Sequence, residues 1–143
     1  VSDQDDITLS SGIAAFESKQ FARSLQLLAP LAEQGIPDAQ YRLAIMCQNG
    51  LGIVPNRQAA FRWMHSAAVQ GHGLAQHGLG FMYMEGDCVE QNGEEAIKWF
   101  TLAAEQGLVG SQTTLAMMYE EGRGVKKDLQ KAKTWYAKAG FKR

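Results

Sequence analysis

The sequence predicts an all-α protein, a right-handed α-solenoid of stacked antiparallel helical hairpins with about eight helices. Three observations predict it. The chain repeats itself at a shift of 36 residues with no insertion. Within each period apolar residues recur at helical spacing, as Leu79, Met82 and Tyr83 do at i, i+3 and i+4. Glycine and Asn or Asp then divide each period in two. A period of this length marks repeat architectures, in which each unit buries its apolar face against the next.

The shift aligns Ala39-Gln40 with Ala75-Gln76 and Ser111-Gln112. It also aligns Leu43, Leu79 and Leu115; Met46, Met82 and Met118; and Gly50, Gly86 and Gly122. It continues through Ala60, Ala96 and Ala132, then Trp63, Trp99 and Trp135, then Ala67, Ala103 and Ala139. Gly35, Gly71 and Gly107 mark the boundaries.

The first helix of each unit ends at Gly50, Gly86 or Gly122, where glycine supplies the left-handed closing residue. The second starts at Asn56, Asn92 or Asp128, whose short side-chain oxygen accepts an orphan N–H of the first turn. Asn92 and Glu95 have capping-box spacing. Small alanines facing large Trp and Met residues fill a core without voids, which commits the three tryptophans to packing. Upstream, Ile13 to Phe16 and Phe21 to Glu33 form a shorter, divergent pair of helices.

Helices are therefore expected over roughly 7–18, 20–34, 38–49, 56–70, 74–85, 92–106, 110–121 and 128–140. They form one repeat domain over 1–143, with a capping unit at 7–34 and repeats at 38–71, 74–107 and 110–140.

Composition narrows the function. No run of about 18 apolar residues exists to span a membrane. The start, Val1 to Asp6, is polar and acidic, unlike a signal peptide. It favours a processed or trimmed chain, and so an extracytoplasmic place such as a bacterial periplasm or envelope over the cytoplasm. The net charge of −1 hides an asymmetry. Residues 1–122 carry six Lys/Arg against fourteen Asp/Glu, and residues 123–143 carry eight against one. The basic end has two readings: Lys131, Lys133 and Lys138 on the final helix keep a terminal repeat soluble, or Arg123, Lys126, Lys127, Lys142 and Arg143 help dock an acidic surface, including that of another copy. Nucleic acid is disfavoured by the slightly acidic whole and the lack of a binding motif.

The pattern Ala-Gln-x-x-Leu-x-x-Met-Tyr-x-x-Gly, followed by Gly-Val, Asp, Ala, Trp, Ala-Ala and Gly, resembles the Sel-1-like repeat (SLR) family, a relative of the tetratricopeptide repeats. It is clearest over 111–139, through Leu115, Met118, Tyr119, Gly122, Gly124, Val125, Asp128, Ala132, Trp135 and Ala139. The resemblance implies adaptor and scaffold roles in bacterial envelope, host-contact or signalling systems, with no shared catalytic residues. Three positions depart from it. Cys47 stands where Tyr83 and Tyr119 stand. Cys88 stands where Gly52 and Gly124 stand, which questions the loop geometry there. Gly140 replaces the second alanine, so the last helix should end early.

In the tetratricopeptide relatives the first helices line a concave groove. The resemblance carries that role by register to Asp38, Tyr41, Ile45 and Gln48; to Leu74, His77, Phe81, Met84 and Glu85; and to Thr113, Met117, Glu120 and Glu121. The expected occupant is a peptide or partner protein, with Phe81 as an anchor and Met as an adaptable surface. No cofactor or metal is expected: His65, His72 and His77 lack the spacing of a helical zinc site. The alternatives are a self-assembling solenoid and a hydrolase using Cys47 or a groove carboxylate. Nothing near Cys47 supplies a base at a recognisable spacing, and a Cys47–Cys88 disulfide is disfavoured by their non-equivalent positions.

Overall fold

The computed structural model describes residues 2–141. Lys142 and Arg143 of the basic end lie outside the described residues. All regular structure among the described residues is helical: α1 (Asp3–Glu17), α2 (Phe21–Glu33), α3 (Pro37–Asn49), α4 (Arg57–Val69), α5 (Gly73–Glu85), α6 (Gly93–Glu105), α7 (Val109–Glu121) and α8 (Leu129–Lys138). They fall into two compact units, Val1–Ala75 and Gln76–Arg143.

In the first unit the core is Leu28, Leu31, Ala32, Ala39, Leu43 and Met46, edged by Phe16, Phe21 and Trp63. The α1–α2 hairpin closes tightly: buried Ser24 donates from Oγ to the carbonyl of Gly12 at 2.9 Å. A Cβ on Gly12 would run into Leu28. α1 starts four residues before the expected position. Ser2 Oγ accepts the Asp5 N–H at 3.1 Å, and Asp3, Asp5 and Asp6 occupy the first turn. Carboxylates there are favoured by the helix dipole, so the acidic start is a helix N-terminus rather than a polar tail.

In the second unit the core is built on Phe100, Leu115, Met118, Tyr119 and Tyr136, with Ala96, Ala104, Ala116 and Ala132 allowing close approach. Trp99 is buried, while Trp63 and Trp135 are half-buried at the core edges.

The hairpin loops repeat one arrangement. Asn56, Asn92 and Asp128 accept the N–H of Ala59, Glu95 and Lys131 at 3.0–3.1 Å. Their own N–H groups donate to the carbonyls of Cys47, Tyr83 and Tyr119 at 2.8–2.9 Å. Each cap thus locks the second helix onto the end of the first. Cys88 does not break this geometry: its φ of 67° matches the 70° of Gly52 and the 71° of Gly124. The loop is kept by holding a side chain in the left-handed region, at a cost of about 1 kcal/mol.

The Ala-Gln pair has a physical reason. Gln40 and Gln112 are buried and donate from Nε2 to the carbonyls of Ala32 and Ala104, both at 3.1 Å. At the other end of the hairpin, Gln70 donates to Gln40 Oε1 at 2.9 Å, and Gln106 donates to Gln76 Oε1 at 2.7 Å. The third repeat departs from this. Gly140, at φ 96°, stops α8 at 10 residues where α6 has 13, as its place in the repeat predicts. Among the described residues Gln112 Oε1 is buried with no hydrogen-bond partner.

Candidate interaction site

The site lies in the second unit, on the first helices of its repeats. Side chains of α5 and α7 frame a surface pocket of about 320 Å³. Phe81, Met84 and Glu85 come from α5, and Thr114, Met117, Met118 and Glu121 from α7. Arg123 enters from the loop after α7. Phe81 is 37% exposed and Met117 45%, so the floor offers apolar surface to solvent.

The aromatic support runs beneath. The Phe81 ring stands edge-on to buried Phe100 at 5.0 Å and to His77 at 4.9 Å. His77 is half-buried, its Nδ1 2.6 Å from Ser111 Oγ. Burial lowers its pKa and favours the neutral imidazole. Arg123 Nη2 donates to Glu85 Oε1 at 2.9 Å across the rim, both side chains being about half exposed.

Five residues expected from the register, Phe81, Met84, Glu85, Met117 and Glu121, therefore meet in one pocket. Met84 needs a correction: it is 7% exposed and belongs to the core, with only an edge reaching the pocket. Two others turn elsewhere. Thr113 Oγ1 donates back to the Val109 carbonyl at 2.9 Å, and its neighbour Thr114 takes the pocket wall. Glu120 accepts the Tyr136 hydroxyl at 3.0 Å, tying α7 to α8, and its neighbour Glu121 lines the pocket. Arg123 was read as part of the basic end. Its pairing with a residue 38 positions away leaves no local signal.

Tyr41, Ile45 and Gln48 lie in the first unit and are half-buried. Tyr41 stacks on His72 at 5.0 Å, and burial raises its phenol pKa against the lowering effect of Arg42. His72 accepts the Ala75 N–H at Nδ1, so Nε2 carries the proton it donates to Asp38 at 2.8 Å. The first unit has a depression of about 300 Å³ lined by Glu33, Arg62, Trp63 and Ser66, which are not first-helix residues of the repeats.

Cys47 and Cys88 are not joined in a disulfide. Burial pushes the Cys47 thiol up, with Arg62 opposing, away from the depressed pKa that an activated nucleophile uses. Among the described residues no group of three His, Cys, Asp or Glu is placed to hold a metal ion, and no helix is long and apolar enough to cross a membrane.

The Sel1 repeat profile matches residues 37–72, 73–108 and 110–140. The chain belongs to the Sel1 repeat family. A solved Sel1 repeat protein from Oxalobacter formigenes is 31% identical, with a TM-score of 0.86 over 92% of this chain and 53% of its own. A protective antigen of uropathogenic Escherichia coli strains, displaying an SLR fold, is 36% identical, with a TM-score of 0.87 over 94% of this chain and 30% of its own. The chain thus spans about half of the first protein and under a third of the second. Helicobacter pylori cysteine rich protein B, at 20% identity and a TM-score of 0.65 over 84% of this chain and 86% of its own, shares the fold. No curated protein is similar enough to count as a match. The Sel1 fold commonly mediates protein–protein interaction.

Proposed function

We propose that this Sel1 chain is an adaptor that binds a peptide or partner protein through the α5–α7 pocket. The observation that carries this is the pairing of Phe81 and Met117. Both are large, apolar and over a third exposed in one concavity, and rings beneath hold Phe81 in place. Contiguous exposed apolar surface of this kind suits a partner's side chain, because its burial is favourable and the floor is already ordered.

The test is capture followed by reconstitution. A partner recovered with the full chain should bind it again when both are purified. Met117→Asp, at an exposed position, should abolish that binding without altering the melting curve. A purified partner bound equally by both forms would rule the pocket out.

A second reading is self-association. Lys126, Lys127, Lys133 and Lys138 are exposed, as are Asp3 and Asp6 at the start of α1. A solution mass that rises with concentration at low salt and falls at physiological salt would support it. A monomer at every concentration and salt would remove it.

A further inference from the structure

The pocket is apolar at its floor and charged at its rim, and the rim specifies more than apolar burial. Among the described residues its carboxylates are Glu85 and Glu121 and its cation is Arg123. Arg123 is paired with Glu85, while Glu121 has no ion-pair partner among the described residues. The stretch that carries the two carboxylates, residues 76–122, holds eight Asp/Glu and one Lys, whereas residues 123–143 hold eight Lys/Arg and one Asp, so the charges of the unit balance. The preference for a cation is therefore local, set by two carboxylates against one guanidinium at the rim.

Arg123 has a second peculiarity. Together with Met84 it also lines a neighbouring depression of about 350 Å³ that includes Gln91, Gly93 and Gly124. The two depressions share Met84 and Arg123 as wall. The pair that ties Arg123 to Glu85 is half exposed on both sides, so it is weak and opens at little cost.

We propose that the pocket takes a segment with an apolar side chain beside a Lys or Arg. The apolar group rests on Phe81 and Met117. The cation is held by Glu121 and by Glu85, and Arg123 is the internal competitor that occupies Glu85 while the pocket is empty. A partner's cation displaces Arg123 and lets it turn towards the adjoining depression. An acidic segment fits poorly: it meets two carboxylates and a cation already engaged. The inference rests on the adaptor reading above and names the partner's chemistry.

The experiment selects ligands from a display library of random linear peptides on the full chain, then measures the recovered peptides by fluorescence anisotropy. The expected peptides share an apolar residue next to Lys or Arg, and lose affinity when the basic residue is replaced by alanine. Glu121→Gln should weaken them about two- to fivefold, and Arg123→Ala should tighten them by a similar factor. Both effects should shrink at high salt. All three positions are exposed, so melting curves should be unchanged in these variants and in Met117→Asp. Peptides that depend on Met117 but show no basic preference, or that bind Arg123→Ala more weakly, overturn the inference and leave the adaptor reading standing. If no recovered peptide depends on Met117, both fall.

Discussion

The Phe81 ring stands edge-on to the Phe100 ring, 5.0 Å between centroids, so the exposed member of the pair is held by one that solvent does not reach. An anchor on the pocket floor is thereby also a small part of the core. Phe81→Ala should cost about 1–2 kcal/mol of stability through the lost aromatic contacts, well short of unfolding the chain. Phe100→Ala, at a fully buried position, should cost about 3–5 kcal/mol. Urea unfolding of the two variants checks the order. Equal losses would mean that Phe81 is as much a core residue as Phe100.

Cys88 carries a side chain where the neighbouring repeats use glycine at the same positive φ. Relief of that strain outweighs the extra freedom glycine gains in the unfolded chain. Cys88→Gly should therefore stabilise the protein by about 0.5 kcal/mol. A lower denaturation midpoint for Cys88→Gly would show that the side chain contributes more than its backbone costs.

His77 makes stability depend on pH. Its unfolded value is 6.5, and burial lowers it in the folded protein. Above 6.5 the imidazole is neutral in both states and adds no slope. As pH falls below 6.5 the unfolded chain takes up a proton that the folded imidazole resists, so stability declines until the folded ring is protonated at its lower pKa. His77→Gln should flatten part of this decline in urea unfolding measured from about pH 7.5 down to pH 5. An unchanged slope would place the pH dependence elsewhere.

Much of this architecture was legible because it repeats. Asn56, Asn92 and Asp128 recur at one spacing and all three cap helices. Gly140 breaks the pattern and stops α8 where its register says. The apolar pattern begins near residue 7, so it places the start of the first helix too late, and the Ser2 cap reveals the extra turn. The pocket was legible to within one residue. Successive residues on a helix point about 100° apart. The register selects Glu120 and Glu121 together, and the Tyr136 hydroxyl draws Glu120 away in three dimensions. Thr113 and Thr114 both donate back to their own helix, to Val109 and Gly110, so nothing local separates them. The Arg123–Glu85 pair joins non-equivalent positions of neighbouring repeats, so a search for self-similarity passes over it.

The six methionines provide the most direct test of where a partner binds. Met84, Met117 and Met118 line the pocket, whereas Met46, Met64 and Met82 are buried away from it. With 13C-labelled methionine methyls, titrating a bound peptide or purified partner into the full chain should shift Met117 most and then Met84 and Met118, leaving Met46 and Met64 in place. Shifts at Met46 and Met64 with Met117 unmoved would contradict the account and put the binding surface on the first unit.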